Sequence, residues 1–171
     1  MPRPDRSTRR IAFASVAVGT FMSTLDASVV NVALPTLAEE LGGGFGSVEW
    51  VVLSYMLALI GLQLNAGRLS DLFGRSRIYA FGLGLFALAS ASCAAADSIP
   101  FLIVSRAVQG VGGAMMSAVG PAILTAVFPS DQRGTVLGWM GLAVSAGLAS
   151  GPAVGGLLID ALSWRWIFLP N

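Results

Sequence analysis

The chain has 171 residues, yet it contains no histidine, and all ten of its basic residues are arginine, so lysine is missing too. A chain without lysine has no Schiff-base or phosphate-loop lysine. A chain without histidine has no imidazole base and no imidazole metal ligand. Its one cysteine, Cys93, rules out an intrachain disulfide. Net charge is only +1, so there is no basic field to hold nucleic acid. Charged residues make up 11%, against about 25% in a soluble domain. So few charges exclude a soluble enzyme, a disordered chain and a nucleic-acid binder. No cofactor and no metal are expected, and any proton chemistry falls to carboxylates.

What is present is apolar. Hydrophobic residues account for 55% and mean hydropathy is +0.77, which makes lipid the main solvent. Five runs are long enough to cross a bilayer, at 11–34, 48–66, 78–96, 101–127 and 136–159. A sixth is expected to begin near Trp164, with the chain ending at Asn171. The predicted class is an all-α integral membrane bundle of five complete spans and the start of another. The connections at 35–46, 67–77, 97–100 and 129–134 hold the turn residues, among them Gly42, Gly43 and Gly44, and are short, as in a packed bundle. Residues 1–10 form a basic arm. The apolar run behind it is too long for a cleaved signal, and four more spans follow, so the first helix is expected to be retained.

The arginines set the orientation. With the N-terminus in the cytoplasm, Arg3, Arg6, Arg9, Arg10, Arg68, Arg75, Arg77 and Arg133 lie inside and only Arg165 outside, a positive-inside asymmetry. Glu39, Glu40, Glu49, Asp97 and Asp160 fall on the outer side.

Two charges lie within spans. Asp26 shares a small, polar stripe with Ser15, Gly19 and Ser23 in span one. A carboxylate in hydrocarbon is costly and should face the bundle interior or water. There it serves either proton exchange or a structural bond to a neighbouring helix. Arg106, in span four, is about 8–9 Å from the outer face and Asp26 about 12 Å, at the rise of an α-helix. Similar depths allow pairing. The alternative is snorkelling of Arg106 toward the headgroups, against which Gln109 extends the polar face inward. In the 67–79 stretch, Gly67 and Gly74 bracket a turn in which Asp71, Arg75 and Arg77 can latch helix ends. In span five, Gly147, Gly151 and Gly155 recur every fourth residue, with Gly138 before them and Gly156 beside them, and Pro152 interrupts the helix. That face suits either sliding or close packing alone.

Taken in order, these stretches resemble the N-terminal part of the major facilitator superfamily. The 67–79 loop is similar to its signature between spans two and three. Arg106-x-x-Gln109-Gly110 resembles its span-four motif, and the Gly138 to Gly156 pattern its span-five motif of antiporters. Leu25-Asp-Ala-Ser-Val-Val-Asn-Val-Ala-Leu-Pro35 resembles span one of the fourteen-spanner drug:proton antiporter branch, and Trp50 with Tyr55 and Trp164-Arg-Trp-Ile-Phe168 are similar to further family positions. The resemblance implies proton-coupled export of small lipophilic or cationic compounds through the plasma (inner) membrane. It places Asp26 and Arg106 in proton coupling, and Gly67, Asp71, Gly74, Arg75 and Arg77 in a cytoplasmic gate. Gly147, Gly151, Pro152, Gly155 and Gly156 fall on the antiport helix, and Asn31, Ser54 and Gln109 on the substrate cavity. It also implies paired three-helix repeats. The family has twelve or fourteen spans, so residues 11–171 are expected to be a half cut at span six, unable to transport without the remaining helices. An uptake or metabolite carrier of the same fold, or a remnant acting only by helix pairing, stays open. The expected partners are a small-molecule substrate, protons and the bilayer.

Overall fold

A computed structural model describes residues 5–169; Arg3 of the basic arm and Pro170 and Asn171 of the expected sixth span lie outside the described residues. Five α-helices follow one another: α1 Arg6–Glu40, α2 Phe45–Phe73, α3 Arg75–Ala94, α4 Ile99–Val127 and α5 Arg133–Ala161, then a short 3-10 helix, Trp164–Ile167. All five are long and apolar enough to cross a membrane.

The helices outrun the apolar runs at most of their ends. Hydropathy marks only the part that needs hydrocarbon. Flanking polar residues stay helical because the helix satisfies their backbone groups. The expected loop at 35–46 is an example. α1 passes through Pro35 and on to Glu40. It stops where Gly42 adopts a left-handed φ of 66° and the Gly43 N–H bonds the Ala38 carbonyl at 3.1 Å, a glycine C-cap. The loop at 67–77 shrinks to one residue. Gly67 lies inside α2, and Gly74, at φ 95°, alone turns the chain into α3. α4 starts at Ile99 with Pro100 in its first turn, where a missing N–H costs nothing. Where a sixth span is expected to begin, a short 3-10 helix forms, with Trp164 and Ile167 buried.

Packing follows backbone approach at glycines, as expected where lipid gives no hydrophobic drive between helices. α4 is the hub, seated against α2, α3 and α1, while α5 packs on α1. A Cβ on Gly110 would come within 2.5 Å of the Tyr55 carbonyl oxygen of α2, and one on Gly112 within 2.7 Å of the Gly82 carbonyl oxygen of α3. On Gly147 it would come within 2.8 Å of the Phe21 carbonyl oxygen of α1. Two apolar clusters fill the interior. One, with Val16, Tyr55, Tyr79, Phe86, Val119 and Met140, lies toward the arginine-rich end. The other, with Val29, Leu37, Val51, Leu102, Trp164 and Phe168, lies toward the opposite end.

Candidate functional site

Between the two clusters sits a polar knot with almost no exposed surface. Asp26 and Arg106 are each 1% exposed and Gln109 is 0% exposed. Arg106 and Gln109 stand one turn apart on α4, so both face α1. Arg106 Nη1 donates to Asp26 Oδ2 at 2.6 Å and to Gln109 Oε1 at 2.6 Å. Gln109 Nε2 donates to Asp26 Oδ1 at 3.1 Å and to Ser90 Oγ of α3 at 2.7 Å. Arg106 Nε donates to the Val51 carbonyl of α2 at 3.3 Å. The Cys93 Sγ lies 3.8 Å from Gln109 Oε1. Two rings cover the guanidinium: Tyr55, with its centroid 4.2 Å from Cζ, and Phe168, at 5.9 Å. Arg106 therefore points inward and does not snorkel. Four helices supply the knot, and removing either charge of the pair takes away the other's buried counter-charge.

The polar stripe on α1 divides. Gly19 packs under Tyr79 and Met116 and Asp26 joins the knot, while Ser23 turns toward a cavity of about 480 Å³ between α1, α2, α4 and α5. Thr20, Thr24, Tyr55, Met56, Met116, Met140 and Leu148 also line that cavity. Asn31, Ser54 and Gln109, expected on a substrate cavity, do not border this hollow. Ser54 is buried in the α2–α4 seam, donating to the Ile103 carbonyl at 3.1 Å. Gln109 is inside the knot. Asn31 is exposed, donates to the Ala27 carbonyl at 2.8 Å, and borders a separate hollow with Glu49. Polar type alone does not distinguish a cavity wall from a helix seam, because both need hydrogen-bonding groups.

At the arginine-rich end, Asp71 and Arg75 form an ion pair at 3.5 Å across the Gly74 turn, with side chains 69% and 44% exposed. Arg75 also donates to the Ala122 carbonyl of α4 at 3.2 Å. Of this turn, Arg75 is thus the residue that reaches another helix, α4. Arg77 is exposed on α3, and a Cβ on Gly67 would meet nothing within 4 Å.

On α5, Gly147, Gly151 and Gly155 are buried against α1, whereas Pro152 is exposed and Gly156 is half-buried. Pro152 has no N–H to offer the Leu148 carbonyl one turn back. Ser28 of α1 donates to that carbonyl at 2.9 Å, so a side chain of the neighbouring helix replaces the missing bond. A Cβ on Gly151 would collide with the Ser28 side chain. Sequence reasoning passed over Ser28 and Ser90. Pro152 identifies the carbonyl that needs a donor, but not the helix that provides it.

At the opposite end the 3-10 helix is tied down. Trp164 Nε1 donates to Glu40 Oε2 at 2.9 Å, and Arg165 reaches the Ala96 carbonyl at 3.1 Å and Asp97 Oδ1 at 3.3 Å. This places Phe168 over Arg106.

Residues 16–170 match the Major Facilitator Superfamily. A riboflavin transporter of Clostridioides difficile is 35% identical over 161 residues, 94% of this chain and 35% of its own length. A multidrug resistance protein of Mycobacterium tuberculosis, Stp, is 39% identical over 166 residues, 96% of this chain and 31% of its own. An uncharacterized MFS-type transporter of the same species is 40% identical over 160 residues, 94% of this chain and 28% of its own. The chain thus spans about a third of the length of these relatives. The solved structure of a bacterial homolog of the human lysosomal transporter Spinster superposes with a TM-score of 0.80 over 96% of this chain and 37% of that one, at 16% identity, a likeness of fold. With a helical bundle of five membrane-length helices and a family match over almost its whole length, the chain is a multi-pass membrane protein and belongs to the Major Facilitator Superfamily.

Proposed function

We propose that this chain provides the proton-binding helices of a proton-coupled antiporter that exports small lipophilic or cationic compounds across the plasma membrane, with its arginine-rich end in the cytoplasm. The observation that carries this reading is the buried Asp26–Arg106–Gln109 knot, separated from the α1–α2–α4–α5 cavity by the ring of Tyr55. Ionised Asp26 holds Arg106. A proton on Asp26 removes one charge of the pair and frees the guanidinium to rearrange. The α1–α5 seam, smooth at Gly147, Gly151 and Gly155 and short of one backbone bond at Pro152, is where the helix carrying Asp26 moves against its neighbour. Relatives named as multidrug resistance proteins support export. The relative named as a riboflavin transporter favours the second reading, a metabolite carrier of the same fold.

The test uses inverted membrane vesicles containing the transporter completed by the helices that its relatives carry beyond this span. An inward-acid pH gradient should drive ethidium into the vesicles. Riboflavin accumulation with indifference to ethidium would favour the carrier, and ethidium uptake that persists after collapse of the gradient would reject proton coupling.

Asp71 acts on conformation in this scheme. The exposed Asp71–Arg75 pair is worth about 0–1 kcal/mol, and it lies at the end of the bundle. Asp71→Asn is therefore expected to leave ethidium affinity unchanged, measured by anisotropy, while turnover falls. Lost affinity with normal turnover would contradict the latch.

A further inference from the structure

Resting on that proton-coupled reading, we propose that Tyr55 is the positioning residue through which occupancy of the α1–α2–α4–α5 cavity reaches the Asp26–Arg106 pair. Tyr55 is 2% exposed, and its ring has two faces of different use. One lies 4.2 Å from the Arg106 Cζ. The same side chain lines the cavity. No other residue of the knot described above borders that cavity.

The ring is held where it is by the shape of α4. Gly110 lets the Tyr55 backbone approach, and a Cβ on Gly113 would lie 3.1 Å from the phenolic oxygen, so the ring sits beside α4 where glycine leaves it room. In that position it is the wall between cavity and ion pair, one aromatic ring thick. A cation over a ring in a dry site is attracted to the ring's face, and the ring also keeps water from Arg106. A flat apolar molecule against Met56, Met116 and Tyr55 competes for that ring. Tilting it weakens the hold on Arg106 and admits water, and both change the affinity of Asp26 for a proton. The lining suits such molecules. Methionines adapt to varied shapes, and Thr20, Ser23, Thr24 and Ser117 offer hydroxyls, while among the described residues no charged side chain borders the cavity. Linkage requires the reverse effect, so protonation of Asp26 must alter affinity in the cavity by the same factor.

The experiment uses the protein in detergent at low buffering, with ethidium as probe. Binding is read by anisotropy and proton release by an indicator dye. Wild type is expected to release protons on binding, and no release would reject the proton-coupled reading itself. Tyr55→Met keeps an apolar, unbranched side chain but removes the ring. It should bind ethidium with release reduced about tenfold, within the usual span of coupling between sites. Tyr55→Phe should restore release. Phe168→Leu strips the other face of Arg106 without touching the cavity, and should release like wild type. Equal release from Tyr55→Met, or equal loss from Phe168→Leu, would overturn the proposal. A measurement on the unmutated chain guards against a Tyr55→Met that does not fold. With fluorotyrosine at its two tyrosines, the resonance absent from Tyr55→Phe should move with both ethidium and pH. A resonance indifferent to ethidium would equally overturn it.

Discussion

Asp26→Asn is expected to reduce proton-driven transport to background and to destabilise the bundle as well. Asparagine keeps the shape and one carbonyl oxygen, so Gln109 Nε2, now 3.1 Å from Asp26 Oδ1, retains an acceptor. The charge facing Arg106 at 2.6 Å is lost. Arg106 cannot reach water from its position under Tyr55 and Phe168, so it becomes a buried, unbalanced cation. Breaking a buried pair from one side costs about 3–5 kcal/mol. Thermal unfolding in nanodiscs should show that loss, and adding Arg106→Gln should recover most of the stability with none of the transport. Transport that survives in the single mutant would remove Asp26 from proton coupling. Transport lost without loss of stability would mean that the pair is not held as tightly as its geometry implies.

Gly151→Leu is expected to lock the α1–α5 seam. Even the first carbon of the new side chain collides with Ser28, so the helices must separate. Overpacking of this kind costs about 1–3 kcal/mol. Separation also breaks the 2.9 Å bond from Ser28 to the Leu148 carbonyl, which Pro152 has already deprived of its helical partner. States that differ by a few kcal/mol are redistributed by such a change. A cysteine reporter at each mouth of the cavity should label from one side of the membrane only. Cys93 is buried and adds little background. Gly156→Leu is the control: a Cβ there meets nothing within 4 Å, so labelling should match wild type. Equal labelling from both sides with normal export in Gly151→Leu would make the seam simple packing.

The two glycines of the same motif therefore separate in a way that spacing did not reveal. Both follow the pattern read from the chain, yet Gly151 faces Ser28 of α1 and Gly156 an open space. The same holds for Asn31, Ser54 and Gln109. Their polarity was legible, but one is exposed, one bonds across a seam and one sits in the ion-pair knot. Gly67 looked like half of a turn and is an ordinary helical residue, because Gly74 alone supplies the left-handed backbone that the turn needs.

By itself, the sequence determined that lipid is the solvent, that five helices are long enough to cross it, which end carries the arginines, and that Asp26 and Arg106 are the charges out of place. These follow from hydropathy, helical rise and charge count, which are properties of local stretches. Tertiary structure decided that Asp26 and Arg106 meet, 80 residues apart, that Gln109 and Ser90 complete their bonds, that Tyr55 stands between them and the cavity, and that Ser28 serves the carbonyl freed by Pro152. Each of these depends on the rotation of one helix about its axis relative to another. That rotation is set by how closely glycine-bearing backbones can approach, a relation between distant segments that no single run of residues contains.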